Sequence, residues 1–123
     1  MPSRERVQEL IAYACEGRFL EALEEFYAED AALQENAGPP RVGMPALVEF
    51  ERAVVASIAE AHETQAASFV VDGDRCAINW VFDYTDTAGR RVRMDEIAYQ
   101  TWRGDKIIRE RFFYDTASLA APA

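Results

Sequence analysis

Apolar positions in the first half of the chain recur three and four residues apart, which is the spacing of one face of an α-helix. Ser3 can cap a first helix, and Gly17 ends it. A second helix is predicted over about residues 18–27 and a third over 44–58, with Pro45 in its first turn. The first helix carries its apolar face at Val7, Leu10, Ile11 and Ala14.

Beyond about residue 62 the period changes to two, which is typical of β-strands. Turn residues divide this half into four strands, and a short strand is also predicted at residues 31–36. The segment AGPPRVG, residues 37–43, is predicted to be irregular because its two prolines have no amide hydrogen to donate. The four later strands are predicted over residues 62–71, 76–85, 90–102 and 107–114.

The predicted order of elements is α-α-β-α-β-β-β-β, which is typical of an α+β fold with its helices on one side of a sheet. A strongly curved, mixed or antiparallel sheet wrapped over the three helices would form a cone with an internal hollow. A single domain over residues 1–123 is expected, since this length suits one core. The small residues at the end, SLAAPA, are expected to be frayed.

The net charge of −9 bears on the partners of the chain. Binding to nucleic acid or to an anionic membrane surface relies on clustered Lys and Arg, so neither partner is expected. No apolar run approaches the roughly 18 residues of a membrane span. The start, MPSRERVQEL, has no apolar core of a secretion signal. A cytoplasmic location is therefore expected.

Cysteine and histidine are too few to suggest a metal site. Cys15 and Cys76 lie on different predicted elements, no CxxC pair is present, and His62 is the single histidine. Both cysteines are predicted to be buried free thiols. No metal and no cofactor are expected.

Three segments together resemble one known superfamily. EALEEFYAEDAAL is similar to its helix-to-strand signature, PPRVGMPALVEF to its loop and third helix, and WRGDKIIRERFFYD to its last hairpin. The chain thus resembles the nuclear transport factor 2-like (NTF2-like) superfamily, of cystatin-like topology, and within it a SnoaL-like group without an assigned reaction. The resemblance covers nearly the whole chain and implies the cone-shaped fold. It leaves the activity open, because this fold hosts isomerases, cyclases, dehydratases, hydrolases and non-catalytic adaptors.

The resemblance to the ketosteroid isomerases of this superfamily implies a catalytic base at Glu35. Their base is a carboxylate at the end of the first strand, and the count from the segment Tyr27-Ala-Glu-Asp falls on Glu35. A carboxyl group beside apolar walls loses hydration, which raises its pKa toward the range useful for proton transfer. A solvated strand end is an equally open interpretation of Glu35.

The oxyanion hole of the isomerases is not matched. The position of its Asp falls at about Ala98, which has no side-chain donor, and that of its Tyr falls near Leu10. Tyr13, about one helical turn later, is an approximate substitute. An alternative set of donors is Tyr13, Asn36, Gln100 and Tyr114, although Asn36 is also typical of a turn.

Alternation sorts the polar residues of the last two strands by face. Glu96, Ala98, Gln100 and Trp102 share one face of their strand, and Ile108, Glu110, Phe112 and Tyr114 share one face of the next. If both acids point inward, their like charges keep one of them protonated. The alternative, which is favoured for at least one of the two acids, is a pair with Arg93, Arg109 or Arg111 on a neighbouring strand. The predicted substrate-binding residues are Tyr13, Asn36, Glu96, Gln100, Trp102, Glu110, Phe112 and Tyr114.

Two functions remain open. One is a cofactor-independent isomerase or cyclase that acts by proton transfer on a small apolar carbonyl compound, with Glu35 as base. The other is a non-catalytic dimeric module that binds a hydrophobic ligand or a partner protein. A homodimer through the open sheet face is expected, because wide aromatic faces are costly to leave in water. The aromatic residues concerned are Trp80, Phe82, Tyr84, Tyr99 and Phe113.

Overall fold

The three helices form where the apolar spacing predicts them, in the computed structural model of the chain, which describes residues 1–119. Helix α1 covers Arg4–Cys15, α2 covers Phe19–Phe26 and α3 covers Met44–Ala56. Ser3 caps α1 as predicted, since its Oγ accepts a hydrogen bond of 3.0 Å from the amide of Arg6. No helix within residues 1–119 is long and apolar enough to cross a membrane.

The sheet has six strands, three of which the sequence pattern placed incompletely. They are β1 Tyr27–Glu35, β2 Arg41–Val42, β3 Ile58–Asp72, β4 Arg75–Asp86, β5 Arg91–Arg103 and β6 Lys106–Phe113. β1 and β3 each begin four residues earlier than predicted, because Tyr27 already lies opposite Ile107 of β6 and Ile58 opposite Asp86 of β4. The prediction of an irregular segment at 37–43 is wrong for β2, whose residues keep their amide hydrogens and pair with β1.

The end of the chain was predicted to be frayed over residues 118–123. Residues 118 and 119 instead belong to a short 3₁₀ turn, Thr116–Leu119, which contacts β5. This turn is held by the amide of Ser118, which donates to the carbonyl of Asp115 at 3.0 Å. The remainder of the predicted frayed end lies outside the described residues.

The strands lie in the order β2-β1-β6-β5-β4-β3. All neighbours are antiparallel except β1 and β6, which run parallel, so the sheet is mixed. The long strands β3 to β6 form consecutive antiparallel hairpins, as their turn residues predict. In the parallel pair, Glu35 at the end of β1 lies opposite Phe112 near the end of β6.

The open sheet curves strongly over the helices. Helix α3 contacts both β1 and β3, although three other strands lie between these two in the sheet. In a flat sheet β1 and β3 would lie about 19 Å apart, which exceeds the width of one helix, about 10–12 Å. The sheet must therefore bend around α3, which gives the α+β cone that the order of elements predicts.

The buried apolar residues form two clusters under the curved sheet. The first joins α1 and α2 to β4 and β5 and contains Val7, Phe26, Ile78 and Trp102, all at most 2% exposed. The second joins α2, β1 and α3. Because both clusters lie against the concave face, the space between them is lined mainly by apolar side chains.

Strand β3 forms one edge of the sheet, and its pairing with β4 is interrupted three times. The register shifts lie at residues 58–60, 61–63 and 66–68. Each such irregularity adds backbone that has no partner in the ladder and increases the local twist. Most side chains of β3 are exposed or half-buried, so this strand closes the sheet without adding much to the core.

The two cysteines are free thiols in different environments. Cys76 is 1% exposed, and burial, followed by the negative charge of Glu110, raises the pKa of its thiol to about 11. Cys15 is exposed, so the prediction of a buried thiol is wrong for this residue. Cys15 follows Ala14 at the end of α1 and falls outside the apolar face that turns inward.

Candidate ligand-binding cavity

A cavity of about 310 Å³ lies between the concave face of the sheet and the three helices. Its wall takes residues from both apolar clusters, including Leu10 of α1, Leu23 of α2 and Leu47 of α3. Aromatic side chains cover much of the remainder and come from Phe19, Tyr27, Phe50, Trp80, Phe82, Tyr84, Phe112 and Tyr114. A larger groove of about 540 Å³, between β1 and α3, is open to solvent and has no comparable enclosure.

Six of the residues predicted for the site lie on the cavity wall. They are Glu35, Glu96, Gln100, Glu110, Phe112 and Tyr114. The alternation of β5 holds throughout, since the face with Glu96 and Gln100 is buried and the opposite face is largely exposed. On β6 the alternation breaks at Ile108, because three residues of β6 lie opposite two of β5. Ile107 consequently takes the buried position, with no exposed area.

Three other predicted residues lie off the wall. Tyr13 packs edge-to-face against Phe26 with ring centres 5.0 Å apart. Trp102 lies behind Gln100 in the core. Asn36 adopts a left-handed backbone with φ of 49°, and its Oδ1 accepts a hydrogen bond of 3.0 Å from the amide of Tyr114. Its geometry is that of a turn, which was the alternative interpretation of this residue.

Glu35 faces the cavity as part of an ion pair. One carboxylate oxygen lies 3.0 Å from a guanidinium nitrogen of Arg41, and the other accepts a hydrogen bond of 3.3 Å from the hydroxyl of Tyr114. Arg41 also stacks over the ring of Phe50, 3.5 Å from its centre. The apolar environment that the sequence suggests for Glu35 is therefore accompanied by a cation on the neighbouring strand β2.

Glu110 lies at the centre of a buried network. Its two oxygens accept hydrogen bonds from the hydroxyl of Tyr27 and from Nε2 of Gln100, the latter at 2.6 Å. Burial raises the pKa of Glu110 to about 7, although these two hydrogen bonds favour the ionised form. Burial and the adjacent Glu110 charge raise the pKa of the Tyr27 hydroxyl well above its usual value.

Glu96 is, with Glu51, one of two cavity acids whose carboxyl groups have no partner among residues 1–119, and it is the more deeply buried. It is 6% exposed, and its carboxyl group makes no hydrogen bond or ion pair with any residue of the described range 1–119. Burial raises the pKa of Glu96 to about 8, and the negative charges of Glu35, Glu110 and Glu51 contribute further. At neutral pH this carboxyl group is therefore mostly protonated and able to donate a hydrogen bond.

The predicted pairing of Glu96 or Glu110 with an arginine is wrong. Arg93 extends to Glu63 and Asp83, at 3.4 Å from each. The Nε of Arg111 donates a hydrogen bond of 2.7 Å to the carbonyl of Asn36. Both acids lie on the concave side, whereas Arg109 and Arg111 flank Glu110 on β6 and point the other way.

Several cavity residues were not identified from the sequence. Glu51 lies four residues after Leu47, so the helical period could have placed it on the inner face of α3. Burial raises the pKa of its carboxyl group. Tyr27 could have been identified from its position at the junction of α2 and β1. Arg41 had no such signal, since the pairing of β2 with β1 decides its position.

The acids of the cavity do not form a metal centre. Among residues 1–119, no three His, Cys, Asp or Glu side chains come together in an arrangement that could hold a metal ion. Asp83, which also lines the cavity, is held by Arg91 at 2.6 Å, and this hydrogen bond lowers the pKa of the Asp83 carboxyl. The inner acids Glu51, Glu96 and Glu110 have no such cation of their own among the described residues.

Comparison with protein families gives one match over most of the chain. The family model described as a SnoaL-like domain matches residues 7–110. A search of the curated proteins finds no match.

Solved structures share the fold over almost the full length. A candidate SnoaL-like polyketide cyclase from Mesorhizobium loti, also described as a carbohydrate phosphatase, is 31% identical, with a TM-score of 0.77 over 93% of this chain and 100% of that chain. An NTF2-like protein of unknown function from Burkholderia pseudomallei is 19% identical, with a TM-score of 0.81 over 94% and 92%. A protein with a ketosteroid isomerase-like fold from Catenulispora acidiphila, in complex with trimethylamine, is 19% identical, with a TM-score of 0.78 over 94% and 89%.

Proposed function

The chain belongs to the SnoaL-like domain family of the NTF2-like superfamily, and from that premise we propose that it binds a small apolar carbonyl compound in the cavity and catalyses cofactor-free proton transfer on it, as an isomerase or cyclase does. The observation that carries the proposal is the buried acid Glu96, which faces a mostly apolar cavity and has no partner for its carboxyl group among residues 1–119. A carboxyl group that is buried without a hydrogen-bond partner costs free energy, so its oxygens are expected to bind a ligand or water.

In this proposal Glu96 and Glu35 have complementary roles. Protonated Glu96 donates a hydrogen bond to the carbonyl oxygen, where negative charge develops as the neighbouring carbon loses a proton. Glu96 lies two residues from Ala98 on the same face of β5, so it supplies the donor that Ala98 does not. Glu35, held in place by Arg41 and Tyr114, is the carboxylate that accepts the proton.

The size and surface of the cavity support a small ligand. A volume of about 310 Å³ is at the lower end of the usual range for ligand sites, about 300–1,000 Å³. The wall is mostly apolar, with a few polar groups that can fix orientation, which is the usual composition of such sites. The complex of the Catenulispora acidiphila protein with trimethylamine supports a small-molecule site in this fold.

Hydrogen exchange at a ketone tests the proton transfer without the natural substrate. Cyclohexanone is incubated with the protein in D₂O, and deuterium uptake beside the carbonyl is followed by NMR. We expect uptake faster than in buffer, and a loss of about a hundredfold of this acceleration in Glu35→Gln, since general-base catalysis contributes about 10²–10⁴. Glu24→Gln, at an exposed position of α2, is the matched control and should keep the full rate.

Substitution of Glu96 tests the donor. Glu96→Gln keeps an N–H donor and should retain most of the exchange rate, whereas Glu96→Leu should lose it. In the unaltered protein the rate should fall as the pH rises through about 8, where Glu96 loses its proton.

Ketone binding without accelerated exchange, in the unaltered protein and in the variants alike, would instead support the second candidate, a non-catalytic binding module. That candidate is favoured by the engagement of Glu35 with Arg41.

We also propose that the chain forms a homodimer through the convex face of the sheet. Ile97 and Phe113 lie directly opposite each other on β5 and β6, and Tyr99 is two residues further along β5. These three side chains are 40–44% exposed. A second copy of the chain would remove this apolar surface from water. Trp80, Phe82 and Tyr84 face the cavity instead and are not part of this surface.

A further inference from the structure

Four side chains beside the cavity form one chain of hydrogen bonds. Nε1 of Trp102 donates to Oε1 of Gln100 at 3.0 Å, and Nε2 of Gln100 donates to Oε2 of Glu110 at 2.6 Å. The hydroxyl of Tyr27 is hydrogen-bonded to the other oxygen, Oε1, of Glu110. Trp102, Gln100 and Glu110 are each at most 2% exposed, so water does not compete for these positions.

The chemistry of the indole sets the direction of this chain. The Nε1–H of Trp102 can only donate, so the atom of Gln100 beside it must be the amide oxygen. The amide nitrogen is then left to face Glu110. The two ends of a glutamine amide are nearly equal in shape, so without the indole the group could turn around and present its oxygen to Glu110.

The orientation of Gln100 decides which oxygen of Glu110 can carry a proton. Oε2 already receives an N–H, so a proton taken up by Glu110 resides on Oε1, beside Tyr27. A tyrosine hydroxyl can donate or accept. When Oε1 is protonated it donates to the Tyr27 oxygen, and the hydroxyl proton of Tyr27 turns to another acceptor. Tyr27 and Glu110 both line the cavity, so this proton can be directed to a bound molecule.

We propose that Trp102 and Gln100 are positioning residues that confine the exchangeable proton of Glu110 to the oxygen facing Tyr27, and so make Tyr27 and Glu110 a second proton-handling pair on the cavity wall. This pair is separate from Glu35 and Glu96. The inference holds whether or not Glu35 acts as a base, because it depends only on contacts among the four side chains.

The charges around Glu110 allow the pair to work near neutral pH. Burial raises the pKa of Glu110 to about 7, while the hydrogen bonds from Tyr27 and Gln100 oppose the rise. The remaining titratable groups that act on Glu110 or respond to its charge come from α3, β1, β4 and β5. They are Glu51, Glu35, Cys76 and Glu96. All are acids, so none of them favours ionisation of Glu110 as the Gln100 amide does.

Titration of Glu110 in Trp102→Phe tests the proposal. The carboxyl carbon of Glu110 is followed by ¹³C NMR as the pH is varied. Without the indole, the side-chain amide of Gln100 can turn and present its oxygen to Glu110 in place of its N–H. An acceptor beside Glu110 favours the protonated form of its carboxyl group. We expect the midpoint to rise by about one pH unit. Trp80→Phe removes the same ring area from the cavity wall, outside this chain of hydrogen bonds, and should leave the midpoint within a few tenths of a unit.

The unaltered protein provides a second measurement that does not depend on how a variant folds. The indole N–H of Trp102 and the side-chain amide of Gln100 should shift together in ¹⁵N spectra, with the midpoint of Glu110. The indole N–H of Trp80 should not follow that midpoint. An unshifted midpoint in a folded Trp102→Phe protein, or a Trp102 signal that ignores the Glu110 titration, would overturn the proposal. Failure of ketone exchange would not, since exchange reports on Glu35.

Discussion

Glu96 shows how a single side chain can make the stability of this protein depend on pH. In the unfolded chain a glutamate has a pKa of about 4.3, whereas burial raises the pKa of Glu96 to about 8 in the folded protein. Below the lower value both states are protonated and the carboxyl group imposes no electrostatic cost. Between the two values only the unfolded state ionises, so the free energy of unfolding decreases as the pH rises.

We therefore expect the protein to lose stability between pH 5 and pH 8, and Glu96→Gln to lose less. Between pH 5 and pH 8 the free energy of unfolding of the unaltered protein should fall by about 2–4 kcal/mol more than that of Glu96→Gln. Each unit of pKa difference corresponds to about 1.4 kcal/mol. Urea unfolding followed by circular dichroism at several pH values measures this difference. Glu24→Gln should follow the unaltered protein. Parallel slopes for Glu96→Gln and the unaltered protein would show that Glu96 is not buried as a neutral acid.

At the scale of elements, the end of β1 depends on Asn36, which the sequence predicted as a ligand contact. Asn36 follows Glu35 with a left-handed backbone. Its amide donates to the carbonyl of Phe112 at 2.7 Å, and its side chain accepts from the amide of Tyr114. These bonds fasten β1 to the end of β6, and they keep Glu35 and Tyr114 on the same side of the cavity.

Substitution of Asn36 separates the hydrogen bond from the backbone conformation. Asn36→Gly should cost about 1 kcal/mol, because it removes the bond to Tyr114 and tolerates positive φ. Asn36→Ala should cost about 1–2 kcal/mol more, since alanine is disfavoured in the left-handed region. Denaturant unfolding of the two variants gives both values. An equal loss in Asn36→Gly and Asn36→Ala would contradict the role assigned to the backbone.

Elements with a regular period were predictable and interruptions of the period were not. The 3.6 spacing placed all three helices, and the period of two on β5 correctly grouped Glu96, Gln100 and Trp102. On β6 the same rule grouped Ile108 with Glu110, whereas the irregularity opposite Thr101 and Trp102 puts Ile107 in the buried position. A bulge depends on how two strands fit together, and the sequence of one strand carries little information about it.

At the scale of the whole molecule, the cavity depends on contacts between distant segments. Glu35 and Arg41 meet because β2 turns back along β1, and Tyr27 meets Glu110 across 83 positions of sequence. The resemblance to a known superfamily located Glu35 in advance, since a fold fixes the end of its first strand. It could not locate the partners of Glu35 and Glu110, which depend on how distant segments of the chain pack together. The order of elements and the apolar periods were sufficient to predict the α+β architecture.

The proposed homodimer is also tested at this scale. Tyr99→Arg places a charge in the middle of the exposed apolar surface of β5 and β6, where burial would be costly. We expect the unaltered protein to sediment as a dimer and Tyr99→Arg to shift it to the monomer at micromolar concentration. Ala88→Arg, in the exposed loop between β4 and β5, is the control and should leave the dimer intact. A monomeric unaltered protein would exclude the dimer.

The three register shifts in β3 have a consequence for the molecule in a crowded solution. A long, regular edge strand presents a row of unpaired amide and carbonyl groups. Another extended chain can form hydrogen bonds with this row, and such pairing is the first step toward fibrils. The kinks at residues 58–60, 61–63 and 66–68 break that row into short pieces. A strand of another copy of the chain can then pair with only a short part of β3. The irregular edge therefore opposes aggregation.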